Sequence, residues 1–193
     1  MTVRLPACLL GLAIIASASP GCAQDGPNHP IALNEIGGGA QLKVTSPGFA
    51  NGAAMPVEDT QYGGNKFPGL NWRGEPGGVQ SFVVLVQDSD AFVMRGPVLH
   101  WTLFNIPGGA RSLAAGLTSP PSGSHYGPSY LGATEAYAGP APPAGKVHHY
   151  HFQVFGLDET LPNDVAQGGF RALRAAMTGH VLASGEIVGT FLH

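Results

Sequence analysis

Charge is scarce in this chain. Of 193 residues, 9 are Lys or Arg and 12 are Asp or Glu, for a formal net charge of -3. So few cations cannot line a stripe that follows a phosphate backbone, which excludes nucleic acid as an expected partner. Cysteine is scarcer still. Cys8 and Cys22 both fall near the start, so everything from Ala23 onward lacks a disulfide and any thiolate metal ligand. Long hydrophobic runs are missing too: the apolar stretch from Ala7 to Ala16 is well short of the roughly 20 residues that a membrane-spanning helix needs. Helical periodicity is also rare, and its absence between the apolar runs argues against a parallel α/β fold.

What the chain does have is apolar substance, with 44% hydrophobic residues. A folded remainder of about 170 residues should bury roughly 70% of its unfolded surface, enough for a core without staples. Its 29 glycines and 17 prolines are interleaved with Val, Leu and Phe runs, so they read as turns between short strands, not as a disordered tract.

The first residues, MTVRLPACLLGLAIIASASPGCAQ, carry one early cation, Arg4, then the apolar run, then small residues. That is the layout of an export signal, expected over residues 1–23. SPGC ending at Cys22 resembles a lipoprotein processing site, although Ser19 stands where Leu is usual; cleavage after Ala18 or Ala23 also satisfies the small-residue rule. The mature protein is therefore expected outside the cytoplasm, periplasmic or secreted, with membrane contact only if Cys22 is lipidated. Residues 24–40, rich in Gly, Pro and Asn, read as an extended linker, and residues 41–193 as one domain.

Within that domain AQLKVTS (40–46) alternates apolar and polar residues and reads as an edge strand closed by Pro47 and Gly48. VQSFVVLVQDSDA (79–91) is a near-continuous β-branched run, the mark of a strand buried on both faces, with Asp88, Ser89 and Asp90 where it should leave the sheet. VLHWTLFNIP (98–107) and HHYHFQVFGLD (148–158) follow as further strands. Between them residues 108–147 are irregular, and such lengths in a compact domain are functional or disordered. Phe170, Leu173 and Met177 recur at helical spacing before Gly179, so a short amphipathic helix is expected, followed by a closing strand over 184–192. The sum is a mainly β chain, an antiparallel β-sandwich of two sheets with one short C-terminal helix.

Three histidines stand within four positions in GPAPPAGKVHHYHF (139–152) and invite a metal. Strand alternation splits them: His148, Tyr150 and Phe152 share one face, His149, His151 and Gln153 the other. His149 and His151 could form an H-x-H clamp, but a zinc site needs three or four ligands and the rest are not at hand, so no metal is expected and these two imidazoles read as surface residues. His148 and Tyr150 follow a segment stiffened by Pro140, Pro142 and Pro143 and read either as a preorganised pocket wall or as an ordinary strand start. Asp88 and Asp90 suit a turn that bonds its own backbone; alternatively Asp88 orients a histidine, with His100 the natural candidate. No G-x-S-x-G elbow or phosphate loop is present, so neither a hydrolase nor an NTPase is expected.

VVLVQDSDA followed by HWTLFNIP, then YAGPAPPAGKVHHYHFQVFGLD, with NKFPGLNW before them and MTGHVLASGEIVGTF after, resembles the phosphatidylethanolamine-binding protein family in its bacterial Raf-kinase-inhibitor-like branch. The first pair is similar to the family's strand-DPDAP-strand unit, and the second to its Y-x-G-P-x-P-P-x-G and H-R-Y-x-F segment. The resemblance runs from about Phe49 to Phe191. It implies a two-sheet antiparallel fold and an anion pocket formed by Asp88, His100, Pro142, Pro143, His148 and Tyr150, with no cofactor and no catalysis. The implied ligand is a small phosphorylated or otherwise anionic molecule, such as a phosphoethanolamine-like head group. Imidazolium and phenol groups would donate to it, and affinity would rise in mildly acidic medium. The alternative is an interaction protein of the cell envelope that inhibits another enzyme. Ser89 and Phe92 replace both prolines of DPDAP, which should loosen that loop; His149 stands where Arg is frequent, and Ala141 where bacterial members often have Cys.

Overall fold

The computed structural model describes residues 30–93, 96–133 and 136–193. The expected export signal over 1–23, with Cys22, lies outside them. Among the described residues eleven strands and two α-helices follow in order: α1 (Ala32–Ile36), β1 (Ala40–Gln41), β2 (Lys43–Thr45), β3 (Leu70–Arg73), β4 (Ser81–Val93), β5 (Gly96–Pro107), β6 (Ser112–Leu113), β7 (His125–Tyr126), β8 (Pro128–Ser129), β9 (Gly132–Ala133), β10 (Val147–Leu157), α2 (Gly169–Met177) and β11 (Val181–Leu192). A six-stranded sheet runs β1-β11-β10-β4-β5-β7, a three-stranded sheet β2-β3-β6, and β8 pairs with β9. The mainly β, two-sheet architecture with a short C-terminal helix is therefore as expected. Among the described residues these strands pair antiparallel except β1 with β11, and an isolated parallel bridge joins Ala54 to Thr190.

The central strands are apolar on both sides because both sides are covered. Phe82, Val84 and Val86 of β4, with Trp101, Leu103, Phe152 and Val154, face the smaller sheet, where Val44, Leu70 and Trp72 complete the sandwich core. Val83, Leu85, Phe155 and Leu157 point the other way and are buried against Leu173 and Met177 of α2 and Ala32 of α1. Burying the Leu173 and Met177 side chains contributes about 1.5–3 kcal/mol each. The helix stops at Met177, and Gly179, at φ +88°, takes the left-handed conformation that turns the chain into β11.

Three local expectations change. AQLKVTS is not one strand: Ala40 and Gln41 pair with β11, Lys43 to Thr45 pair with β3, and buried Leu42 makes the crossing between sheets. Gly185 permits it, because a Cβ there would lie 2.3 Å from the Leu42 carbonyl oxygen. Within 24–40 the segment is not wholly extended. Residues 32–36 form α1, whose first N–H groups are taken by glutamines of the sheet: Gln87 Oε1 accepts from Ala32 N–H at 2.8 Å and Gln153 Oε1 from Leu33 N–H at 2.7 Å. Finally, β4 does not leave the sheet at Asp88. It bulges there, with Asp88 opposite Val98 but Phe92 opposite Pro97, and continues to Val93.

Candidate ligand-binding site

One end of the large sheet gathers Asp88, His100, His148 and Tyr150, all buried. Tyr150 on β10 stands directly opposite Asp88 on β4, and His148 lies two residues along the same face. His100 arrives by a different device. Val86 faces Trp101 and Gln87 faces Leu99, so His100 is an extra residue, a β-bulge in β5. Simple alternation would send His100 and Trp101 to opposite faces. The bulge instead lets Trp101 fill the sandwich core while His100 packs edge-on against Tyr150, ring centroids 5.3 Å apart.

Asp88 is fully engaged. Its Oδ1 accepts from the backbone N–H groups of Asp90 (2.9 Å) and Ala91 (3.1 Å), and its Oδ2 from His148 Nδ1 at 2.7 Å. The turn reading of this acid and the histidine-orienting reading both hold, but the oriented histidine is His148, not His100. The correction follows from register: the face shared by residues 148 and 150 is brought beside Asp88 by the β4–β10 pairing, whereas His100 Nδ1 is turned to the Gly139 carbonyl oxygen at 3.0 Å. A carboxylate and a carbonyl can only accept, so each histidine carries its proton on Nδ1. Among the described residues neither Nε2 has a hydrogen-bond partner.

Burial lowers the His100 pKa from the usual imidazole range, against the opposing pull of the Asp88 charge, and keeps the ring neutral. Its Nε2 is then an acceptor. Burial, with the Asp88 charge adding to it, pushes the Tyr150 phenol far above its ordinary value, so Tyr150 stays protonated. Among the described residues the buried Tyr150 hydroxyl has no partner at hydrogen-bonding distance, although the Asp88 carboxylate and the Ala141 backbone lie close enough to act on it. Together the four side chains offer a phenol donor, a neutral imidazole acceptor and a carboxylate-backed imidazole.

The proline segment forms the neighbouring wall. Pro142 is buried and Pro143 is exposed, while the Ala141 backbone comes beside the Tyr150 phenol. This loop is held by residues that the sequence reading passed over. Tyr62 donates its hydroxyl to the Pro142 carbonyl at 2.6 Å, and Gln61 Nε2 donates to the Gly139 carbonyl at 2.8 Å. Asn65 brackets the same loop, accepting from Gly139 N–H and donating to the Tyr137 carbonyl. Gly139 must be glycine, since a Cβ would meet the Asp59 carbonyl oxygen at 2.3 Å. Tyr130 closes another side, 5.1 Å from the His100 ring. The only signal for these residues was their place in the DTQYGGNKFPG turn and in the long irregular segment.

Among the described residues no three His, Cys, Asp or Glu side chains are grouped to hold a metal, around His149 and His151 or elsewhere. These two histidines are not idle surface imidazoles either. His149 Nδ1 bonds Asp90 Oδ2 at 2.7 Å; His151 is nearly buried between Glu186 (2.9 Å) and the Ser89 hydroxyl (3.0 Å). Asp88, Ser89 and Asp90 are thus each gripped by one histidine of HHYH. That interlock ties down the loop whose two prolines are missing.

The chain matches the family model described as phosphatidylethanolamine-binding protein over residues 45–192. It is 37% identical over 153 residues to the protein named "Putative lipoprotein LppC" of Mycobacterium tuberculosis, covering 78% of this chain and 72% of that one. A UPF0098 protein of Pyrococcus horikoshii is 38% identical over 172 residues, covering 83% of each. Among solved structures, E. coli YbcL, described as a new member of the mammalian PEBP family, superposes with a TM-score of 0.72 at 29% identity, over 79% of this chain and 98% of YbcL. The Chlamydia trachomatis PEBP homolog CT736 gives 0.69 at 28%, over 80% and 98%.

Proposed function

The chain belongs to the phosphatidylethanolamine-binding protein family, and from that premise we propose that it binds, without transforming it, a small phosphorylated molecule that also carries an ammonium group. Family membership supports a ligand-binding role. The observation that carries the finer reading is the buried Asp88–His148 pair at 2.7 Å beside a neutral His100.

The reasoning is one of donors and acceptors. A phosphoryl group accepts only, and its partners here are the Tyr150 hydroxyl and the imidazolium form of His148, whose charge the paired Asp88 carboxylate balances. His100 Nε2 needs a donor, which bare phosphate diesters lack and an ethanolammonium supplies. The imidazoles therefore favour a zwitterion such as phosphoethanolamine over a plain anion. A protonated phenol is a poor nucleophile, and the Asp88 carboxylate is committed to three donors, so the group binds instead of reacting.

The same reading places the protein in the cell envelope, exported by its leader and either free or anchored through Cys22. The name of LppC supports this, and among the described residues no helix is long and apolar enough to cross a membrane. The mass of the mature N-terminus separates the two forms. For the site, a crystal soaked in phosphoethanolamine should hold a phosphoryl group within hydrogen-bond reach of His148 and Tyr150, with the amine toward His100. A ligand bound elsewhere, or none at saturation, sinks the assignment.

A further inference from the structure

On the opposite face of β4 and β5 from this site lies an open cleft of about 830 Å³ between α2, the start of β5 and the β8–β9 hairpin. Val98, Leu99 and Phe170 supply an apolar wall, and Tyr130, whose ring packs on His100, stands between cleft and site. Its charged lining is Arg171, Arg174 and Glu35. Glu35 pairs with Arg174, whereas Arg171 has no carboxylate partner among the described residues. The cleft is therefore net cationic on a protein whose formal charge is -3.

Gln87 lies in this cleft and is 1% exposed. The orientation of its amide is settled, because Oε1 must be the atom that accepts from Ala32 N–H; the same oxygen also accepts from Gln153 Nε2 at 2.9 Å. Gln153 is fixed in turn by Leu33 N–H. The Gln87 Nε2 donors are left with no partner among the described residues. An amide donor on the lining of a roomy cleft is placed to meet an acceptor that enters it.

We propose that the cleft is a second binding site, for an amphipathic carboxylate: an apolar body along Val98, Leu99 and Phe170, with its oxygens shared between the Gln87 amide and Arg171. The inference does not depend on the phosphoethanolamine reading, since Gln87 and Asp88 point to opposite faces of one strand and neither Asp88, His100, His148 nor Tyr150 lines the cleft.

Decanoate is the probe, and decanol, of the same chain length and without the charge, is the control. Titration is followed by NMR at the Gln87 side-chain amide and at the Leu99 and Phe170 resonances. Decanoate should shift all three saturably below ~10 mM, and decanol should bind more weakly. Arg171→Glu, an exposed change outside the core, should weaken decanoate about tenfold or more and leave decanol unaffected. No saturable shift of the Gln87 amide, or equal affinity for decanoate in the parent protein and Arg171→Glu, would overturn the proposal.

Discussion

Asp88 and His148 are 60 residues apart in the chain and meet at 2.7 Å, both almost fully buried. The pair is the one place in the site where a charge is held away from water, so its members should respond unequally to substitution.

His148→Phe strips a donor from a buried carboxylate and should cost about 3–5 kcal/mol, the range for breaking a buried pair from one side. Asp88→Asn should cost less, about 1–3 kcal/mol. The Asn oxygen still accepts from Asp90 and Ala91 N–H, and His148 can switch tautomer to accept from the Asn amide. Urea unfolding of both variants checks the order.

Phosphoethanolamine should bind roughly tenfold more tightly than phosphocholine, whose quaternary nitrogen has no N–H for the neutral His100. Calorimetric titration of the two, side by side, reads this directly. Asp88→Asn should weaken both ligands and leave their ratio nearly unchanged, because both head groups carry the same positive charge and differ only in the N–H that His100 accepts.

Stability should fall in acid partly through His100. Its pKa in the folded protein lies below the usual value near 6.5 because burial disfavours the charged ring. Below pH ~6.5 the unfolded chain takes up a proton that the folded one resists, so the contribution is complete above that pH and is lost as pH falls through the folded value. The loss is up to about 1.4 kcal/mol per pH unit. His100→Gln, which can still donate to the Gly139 carbonyl, should lack this component. Thermal unfolding of both proteins from pH 7.5 to pH 5 would give curves that converge in acid; parallel curves would contradict it.

Tyr62→Phe removes the bond to the Pro142 carbonyl and should cost only about 1 kcal/mol while weakening phosphoethanolamine severalfold. Gly139→Ala should be worse in both respects, because the new Cβ collides with the Asp59 backbone and displaces the carbonyl that holds His100. Comparing stability and affinity in the two variants separates loop order from loop position.

Much of this was legible from residue order. Alternation in HHYHF put His148, Tyr150 and Phe152 on one face, and burial along β10 follows that pattern. The β-branched run of β4 announced a strand covered on both sides, and Leu173 and Met177 announced the helix that covers one of them. What resisted reading depends on a neighbouring strand. The bulge at His100 exists only relative to β4, the sheet change at Leu42 only relative to β11 and β3, and the partner of Asp88 only once β10 is in register. The same holds for the loop in which Ser89 and Phe92 stand in place of prolines: His151 and His149, read from alternation as surface residues, restrain it through Ser89 and Asp90.

The most direct test is calorimetric titration of phosphoethanolamine into the parent protein and His148→Ala at one pH near 6.5, with the fold of each verified by far-ultraviolet circular dichroism. A single site in the parent protein, weakened at least tenfold in the variant, is the predicted result. Binding of equal strength in both, or in neither, would contradict the account.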